Sequence, residues 1–284
     1  MTCFRGCGPY AITAMLTPFC ATGIDIPAFE AEVARQVAAG MDGVVVHDVI
    51  GEACTLAQPE KDLLLTTAVQ CAGDNLTVIA ATGSNCTRKT IEDSVRAQHL
   101  GADALLVTVP YYSKPTLKGV ADHFRQISAA VGIEIMVDDE PSRTARDYGA
   151  DLLEALADLD EIVGICHGSG RLAHFADLEA QLRDRYTHLS RDERSLSSFM
   201  ALGGSGVVSS LSNVSPNARW PIGEMSVAGI EPCDIPSLKV AVSANRPYPI
   251  DVRLPLVPLD QESENLLRRA CATSSPKRTR RAAA

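Results

Sequence analysis

The sequence predicts an α/β fold, a closed (β/α)8 barrel of the TIM type. Short apolar runs rich in Val, Ile and Leu recur along the chain without polar alternation, which is typical of parallel strands buried on both faces. Helix-length amphipathic stretches separate these runs, and eight strand-plus-helix units precede residue 216, as a barrel requires. An open doubly wound sheet is the main alternative. No GxGxxG motif follows a strand, and this absence favours the barrel.

Each element has its own signal. In the first helical pattern Pro27 suits the first turn, and Gly40 follows the last. The other helical patterns cover Thr87–Leu100, Thr116–Ala130 and Leu172–Leu182. The predicted strands, numbered 1 to 8 in chain order, are Ala11–Met15, Gly43–Val46, Thr77–Ala81, Ala104–Val107, Ile133–Val137, Ile162–Ile165, Thr187–Leu189 and Gly206–Ser209.

The chain divides into a barrel over residues 1–216, a C-terminal segment over 217–273 and a tail over 274–284. Seven prolines fall between residues 217 and 259, which limits helices there to short pieces. Gln261–Thr273 is predicted to form one final helix. The tail, SSPKRTRRAAA, is basic and low in complexity, and we expect it to be disordered.

Composition excludes several classes of protein. The 284 residues are 46% hydrophobic and carry a net charge of −9, which argues against nucleic acid as a partner. No apolar run reaches the roughly 20 residues of a membrane helix, so we expect no membrane partner. Residues 1–10 lack the features of a signal peptide, and the nine cysteines form no CxxC pair. We therefore expect a cytoplasmic protein with free thiols.

Four motifs at predicted strand ends and loops carry a family resemblance. They are ATGSNCT (81–87), PYYSKPT (110–116), PSRT (141–144) and FMALGGSGVVS (199–209). In this order and spacing the chain resembles the dihydrodipicolinate synthase/N-acetylneuraminate lyase family of pyruvate-handling aldolases and lyases, and it is closer to the synthase. Between Pro216 and Glu231 it is shorter than the family pattern, so the C-terminal region is expected to be shortened.

The resemblance implies a mechanism. A lysine on strand 6 forms a Schiff base with pyruvate, and the protonated imine acts as an electron sink. A tyrosine on strand 5 and a threonine after strand 2 relay protons, and a neighbouring subunit lends a second tyrosine. An arginine after strand 5 holds a substrate carboxylate. The resemblance thus implies a small keto acid as ligand and self-association as a dimer or tetramer.

The match at these positions is uneven. Tyr112 stands where the borrowed tyrosine is expected, whereas Asp138 replaces the strand 5 tyrosine and Cys166 replaces the lysine. These three residues are the candidate catalytic positions. Arg191 occupies a position that is usually glycine, and the two threonines before the conserved turn glycine are replaced by apolar residues. The candidate substrate-binding residues are Val49, Ile50, Gly51, Arg143, Arg191 and Val208.

The cysteine decides the functional prediction. A thiol adds reversibly to a ketone but cannot expel water to form an iminium ion. The six lysines offer no replacement: Lys114 is near the barrel mouth but has no such role in the family, and the others are expected on outer helices or beyond the barrel, at 61, 89, 118, 239 and 277. We therefore expect a family member that has lost imine chemistry, retains at most keto-acid binding and needs no cofactor.

Two alternatives remain. One is a lyase or synthase that activates its substrate without an imine, for example through a metal ion acting as Lewis acid; the candidate ligands would be His47, Asp48, Asp138, Asp139, Glu140, Cys166 and His167. We favour no metal site, with Cys166 as a packed core residue and His167 as a loop residue. The other is an interaction protein that uses the barrel as a scaffold.

Overall fold

Eight parallel strands close into a barrel, as predicted. The computed structural model describes residues 3–4, 8–168, 172–216 and 234–274. Each strand pairs with the next along the chain, and the eighth pairs with the first. The strands are β1 (Tyr10–Ala14), β2 (Gly43–Val46), β3 (Thr77–Ala81), β4 (Ala104–Thr108), β5 (Glu134–Asp139), β6 (Ile162–His167), β7 (Thr187–Ser190) and β8 (Gly206–Ser209).

The helices surround the barrel or follow it. Those between strands are α1 (Ile26–Ala38), α2 (Gln58–Ala72), α3 (Thr87–His99), α4 (Leu117–Ser128), α5 (Pro141–Thr144), α6 (Ala150–Ala155), α7 (Leu172–Ala176), α8 (Ala180–Arg185) and α9 (Leu196–Ala201). Two helices follow β8: α10 (Ile235–Asn245) and α11 (Gln261–Ser274). No helix in the described part of the chain is long and apolar enough to cross a bilayer.

Three sequence expectations about elements are wrong. The single helix predicted over Leu172–Leu182 is two, because Arg183 donates to the carbonyls of Phe175 and Leu178 where α7 ends. His167 is not a loop residue, since β6 extends to it. The prolines after residue 216 do not prevent an 11-residue helix, because the proline of α10 lies in its first turn.

Alternation along the strands creates two apolar layers. Each strand contributes at least one side chain to the cluster inside the barrel, among them Ile12, Val45, Ile79, Leu106, Met136, Cys166, Leu189 and Val208. Their neighbours point outward and pack beneath the helices, for example Val44, Val78, Leu105, Val137, Ile165 and Val207. Successive side chains of a strand face opposite sides, so strand register alone determines which residues reach the interior.

The amino-terminal end of the barrel is closed by the start of the chain. The Glu134 carboxylate accepts hydrogen bonds from the backbone N–H groups of Cys3 and Phe4, at 2.7 and 3.0 Å. Gly206 has a φ of +148°, and a Cβ atom there would lie 2.1 Å from the Tyr10 carbonyl oxygen. Glycine is therefore required where β8 closes on β1.

Ion pairs fasten the C-terminal segment to the barrel. The fully buried Lys239 on α10 donates to Glu52, which follows β2, at 2.6 Å. Arg246 makes a two-pronged contact with Glu32 on α1, at 2.7 and 2.6 Å. Lys239 thus lies beyond the barrel, as expected, but its ammonium group reaches back to the loop after β2. Residues 217–233 and the tail from 275 lie outside the described residues, so most of the expected shortening and the predicted disorder of the tail remain expectations.

Candidate active site

Three side chains on neighbouring strands meet at the carboxyl end of the barrel. Thr108 on β4 is in register with Asp138 on β5, which is in register with Cys166 on β6. Because parallel strands in register place equivalent side chains on the same face, all three belong to the inner row. The Thr108 hydroxyl donates to Asp138 Oδ2 at 3.0 Å. This end of a TIM barrel is where such enzymes build their active sites.

An arginine that follows the neighbouring strand β7 joins this row. Arg191 follows β7, and its Nη2 donates to Asp48 Oδ2 at 2.7 Å. Its Nε lies 3.5 Å from Asp138 Oδ1. The side chains of Arg191, Asp48 and Asp138 are only 8%, 5% and 7% exposed. We call these three residues the ion triad.

The ion triad leaves two buried polar atoms unpaired. Among the described residues, Arg191 Nη1 finds no hydrogen-bond acceptor and Asp138 Oδ1 receives no hydrogen bond. Buried polar atoms in folded proteins are almost always paired with protein or water. The triad therefore offers one free donor and one free acceptor inside the barrel.

Burial and neighbouring charges set the protonation of this site. Burial raises the pKa of Asp138, and the Asp48 carboxylate adds to this effect, although Arg191 opposes it. Burial also raises the pKa of the Cys166 thiol, as does Asp138. Burial lowers the pKa of Arg191, but Asp138 and Asp48 outweigh this and raise it well above its usual range. The site therefore holds a permanent cation, a neutral thiol and a carboxyl group whose pKa is raised.

The turn after β2 supplies the apolar edge of the site. Val49–Gly51 form a single 3₁₀ turn, in which the Gly51 N–H donates to the Asp48 carbonyl at 2.9 Å. The Gly51 carbonyl accepts the Thr17 hydroxyl at 2.7 Å. Ile50 is buried in the interior cluster, where Val208 and Cys166 also lie, and Val49 is half-buried beside it. The two side chains of this turn therefore contribute no hydroxyl group.

Two of the predicted site residues lie apart from this buried set. The ring of Tyr112 is 88% exposed, and its φ of +68° holds the loop after β4 in the left-handed region. Arg143 lies on α5 with an exposed side chain. The buried guanidinium inside the barrel is that of Arg191, which sequence analysis included only as one of several binding residues.

The candidate metal ligands are divided among different places. His47 has a φ of +62° and lines a separate cavity of about 210 Å³ between α2 and α3. His167 points outward. Its Nε2 shares a hydrogen bond of 2.8 Å with His188 Nδ1, and its ring packs against Phe175. Within the described residues no three His, Cys, Asp or Glu side chains come together in a metal-binding arrangement.

The described lysines also lie away from Cys166 and its neighbours. Lys114 is exposed in the loop after β4, and three others lie on α2, α3 and α4, at positions 61, 89 and 118. The ammonium group of Lys239 is held by Glu52 and by the Asp251 carbonyl, at 2.6 and 2.7 Å. Lys277 is outside the described residues.

Sequence analysis missed two partners in this site. Thr108 was not singled out from the sequence, and Asp48 was included only as a possible metal ligand. Opposite charges at two strand ends, Asp48 after β2 and Arg191 after β7, were the available signal. Because barrel strands converge at one rim, such a pair can meet even when 143 positions separate its members.

Comparisons with known proteins show which family the chain resembles. Residues 10–230 match the model of the dihydrodipicolinate synthetase family. The 4-hydroxy-tetrahydrodipicolinate synthase of Nitrosomonas eutropha is 33% identical over 288 residues, covering 94% of this chain and 97% of the relative. That of Nitrosospira multiformis is 34% identical over 287 residues, covering 92% and 93%.

Solved structures show the same architecture. Dihydrodipicolinate synthase from Thermotoga maritima superposes with a TM-score of 0.87 at 27% identity, covering 95% of this chain and 99% of that one. The chloride-inhibited enzyme from Acinetobacter baumannii, solved in complex with pyruvate, gives 0.80 at 29% identity, with 95% and 99% covered. With its eight-stranded barrel and the match over residues 10–230, the chain belongs to the dihydrodipicolinate synthetase family.

Proposed function

We propose that this chain binds a small keto acid without covalent attachment and does not carry out the imine-forming reaction of its family. The observation that carries this proposal is the position of Cys166. It lies fully buried on the inner face of β6, where the family resemblance expects the lysine that captures pyruvate. Asp138 and Arg191 are its neighbours in the site.

The chemistry of sulfur limits what this position can do. A thiol can add to a ketone carbonyl, but only an amine can then lose water to give the protonated imine that makes the pyruvate methyl group acidic. Burial also keeps the Cys166 thiol protonated, because it raises the thiol pKa, which weakens even the reversible addition. We infer that this site has no covalent electron sink.

Lys239 is a candidate for a substitute amine because its ammonium group reaches the loop after β2, but its contacts argue against that role. Its ammonium group is bound by Glu52 and Asp251 and lies 4.5 Å from the centre of the Phe19 ring. A nucleophilic amine must lose its proton and its hydrogen bonds before it attacks a ketone. Breaking the buried pair with Glu52 would cost several kcal/mol, about 3–5 by analogy with other buried pairs.

The same site retains features that suit an anionic ligand. Arg191 is a buried cation with a free Nη1 donor group, and arginine suits carboxylate and carbonyl oxygens. The pyruvate complex of the Acinetobacter baumannii relative supports a keto acid as the ligand class. Asp48 and Asp138 reduce the attraction for an anion, so we expect weaker binding than a lone arginine would give.

Borohydride trapping tests the imine half of this proposal. Purified protein is mixed with pyruvate and sodium borohydride, and its intact mass is measured. We expect no reduced adduct on the wild-type chain. Cys166→Lys, alone and combined with Arg191→Gly to remove the neighbouring positive charge, tests whether an amine at this position restores trapping. Cys86→Lys places a lysine at an exposed loop and controls for nonspecific labelling.

A thermal-shift titration tests the binding half. Pyruvate should raise the melting temperature of the wild-type protein in a saturable manner. A saturable shift without an adduct supports the proposal, whereas an adduct on wild-type protein contradicts it.

We also propose that the chain self-associates as a dimer or tetramer. The support is Tyr112, whose large ring is 88% exposed on a loop fixed in a left-handed conformation. An exposed aromatic ring suits a contact with a neighbouring subunit. Sedimentation velocity at several protein concentrations tests this proposal, and a single monomeric species throughout would contradict it.

A further inference from the structure

The two unpaired atoms of the ion triad lie on facing groups. Arg191 Nε is 3.5 Å from Asp138 Oδ1, too long for a hydrogen bond. Arg191 Nη1 and Asp138 Oδ1 are therefore a donor and an acceptor of the same ion pair, and neither has a partner among the described residues. Burying each atom without a hydrogen bond costs about 1–3 kcal/mol in desolvation free energy, unless a water or a ligand becomes its partner.

The other contacts of these groups fix them in place. Arg191 is anchored by Asp48 at 2.7 Å, and Asp138 by the Thr108 hydroxyl at 3.0 Å. Neither side chain can turn toward its partner without giving up one of these bonds. Each of the two groups is thus held by a second contact, which is the arrangement expected of a prepared binding site.

The charges decide what such a site can accept. With both aspartates ionised, the ion triad carries one net negative charge. A bound carboxylate would raise this to two inside a buried site, which is strongly unfavourable. A proton on Asp138 Oδ1 removes the excess charge and turns the free acceptor into a donor. Arg191 and Asp138 would then both donate to the ligand.

We propose that the ion triad is a proton-coupled anion site, in which a keto-acid anion accepts hydrogen bonds from Arg191 Nη1 and from a protonated Asp138. This inference rests on the proposed keto-acid binding and specifies its mechanism. No covalent bond forms between ligand and protein: as one anion binds, an acid in the solvent gives up one proton, and an O–H bond forms at Asp138 Oδ1. Release of the anion returns the proton.

The surroundings of Asp138 favour this coupling. The groups that face it are Thr108 from β4, Asp48 after β2, Glu140 after its own strand, Cys166 from β6 and Arg191 after β7. Burial is the strongest influence and raises the pKa of Asp138, and the two other carboxylates act in the same direction. Arg191 and Thr108 oppose them, and the net direction is upward.

The test measures pyruvate affinity and proton uptake over a range of pH. Isothermal titration calorimetry in two buffers of different ionisation enthalpy gives the number of protons bound per pyruvate. We expect up to one proton taken up, and an affinity that falls up to roughly tenfold per pH unit above the pKa of Asp138 in the free protein. Methyl pyruvate keeps the ketone without the charge, and its binding should be independent of pH.

Two variants sharpen the result. Asp138→Asn is neutral at every pH, so it should bind pyruvate with pH-independent affinity and no proton uptake. Asp122→Asn removes a charge from the exposed face of α4 and should behave like the wild type. If Asp138→Asn does not fold, the methyl pyruvate comparison on wild-type protein still decides the question.

Each outcome has one meaning. Pyruvate binding with no proton uptake and no pH dependence overturns the proton-coupled site but leaves non-covalent binding intact. A borohydride-fixed adduct overturns the proposed function instead. Absence of pyruvate binding at every pH from about 5 to about 9 overturns both.

Discussion

Two buried ion clusters lie near the loop after β2, and they differ in how completely their hydrogen bonds are formed. In the first, Lys239 donates to Glu52 and to the Asp251 carbonyl and faces the Phe19 ring. The second oxygen of Glu52 accepts the Arg253 N–H at 2.9 Å. In the ion triad, Arg191 and Asp138 each keep an atom without a partner among the described residues.

This difference distinguishes a cluster that stabilises the fold from one that is available to bind a ligand. A buried pair with all its hydrogen bonds formed holds two segments together, here α10 and the loop after β2. In a buried pair with unpaired atoms, the free energy lost by removing those atoms from water is not offset by new hydrogen bonds. Natural proteins tolerate this mainly at functional sites. The pairing of individual atoms thus distinguishes the two clusters, although both are buried and charged.

The largest expected effect is on stability, from Lys239→Met. This change leaves Glu52 buried without its cation, and we expect the free energy of unfolding to fall by about 3–5 kcal/mol. Urea denaturation followed by circular dichroism measures it. Lys118→Met, on the exposed face of α4, is the matched control and should change stability little. A loss below about 1 kcal/mol for Lys239→Met would show that the cluster is not structural.

Arg191→Met should affect binding more than stability. The variant keeps the length of the side chain and loses the free Nη1 donor group, so the thermal shift given by pyruvate should disappear. The loss of stability should be smaller, about 1–3 kcal/mol, because Asp138 can take up a proton when its cation is removed. If the variant kept the full pyruvate shift, Arg191 would not be the ligand partner.

The ion triad should also give the protein a distinctive pH dependence of stability. The pKa of Asp138 is raised in the folded state, so the folded protein holds this proton to higher pH than the unfolded chain does. Stability should therefore fall as pH rises from near the unfolded value, about 3.9, to the raised folded value. In Asp138→Asn this decline should be reduced, as measured by urea denaturation across that range.

A control with the opposite sign accompanies this prediction. The pKa of Asp122 is lowered by Lys118, so Asp122→Asn removes a contribution that is present above the unfolded pKa and lost as pH falls. Identical pH profiles for Asp138→Asn and the wild type would contradict a raised pKa at Asp138.

The smallest effect on stability is expected for Tyr112→Ala. Its ring is 88% exposed, so truncation should change the free energy of unfolding of the monomer by no more than about 0.5 kcal/mol. Self-association should weaken, because the exposed ring is the proposed contact with a neighbouring subunit. Sedimentation velocity compares the two proteins. An unchanged distribution of species would remove Tyr112 from the interface.

The fold could be predicted because its signal is repetitive. Eight apolar runs without polar alternation imply buried parallel strands even if the exact ends of the runs are uncertain. A strand end that is misplaced by one residue, as for the predicted Ala11–Met15, does not change the predicted barrel. The break between α7 and α8 was not predictable from periodicity, because it depends on Arg183 binding carbonyl groups of the preceding turn.

The site could be predicted only residue by residue. The predicted strands stop before Asp138 and Cys166, whereas β5 and β6 extend to them and pair them in register. Strand alternation does not show that Arg191 reaches Asp48 across the barrel, because that contact depends on how side chains extend from two loops. Lys239 illustrates the same limit, as its position on a later helix gives no indication of its contact with Glu52.

The most direct test of the central claim, that this barrel holds no amine able to capture a ketone, is the intact mass of wild-type protein after incubation with pyruvate and borohydride. We predict an unchanged mass, with adduct formation only when a lysine is introduced at position 166. A stoichiometric pyruvate adduct on the wild-type chain, mapped by peptide digestion to a lysine that reaches the barrel interior, would contradict it.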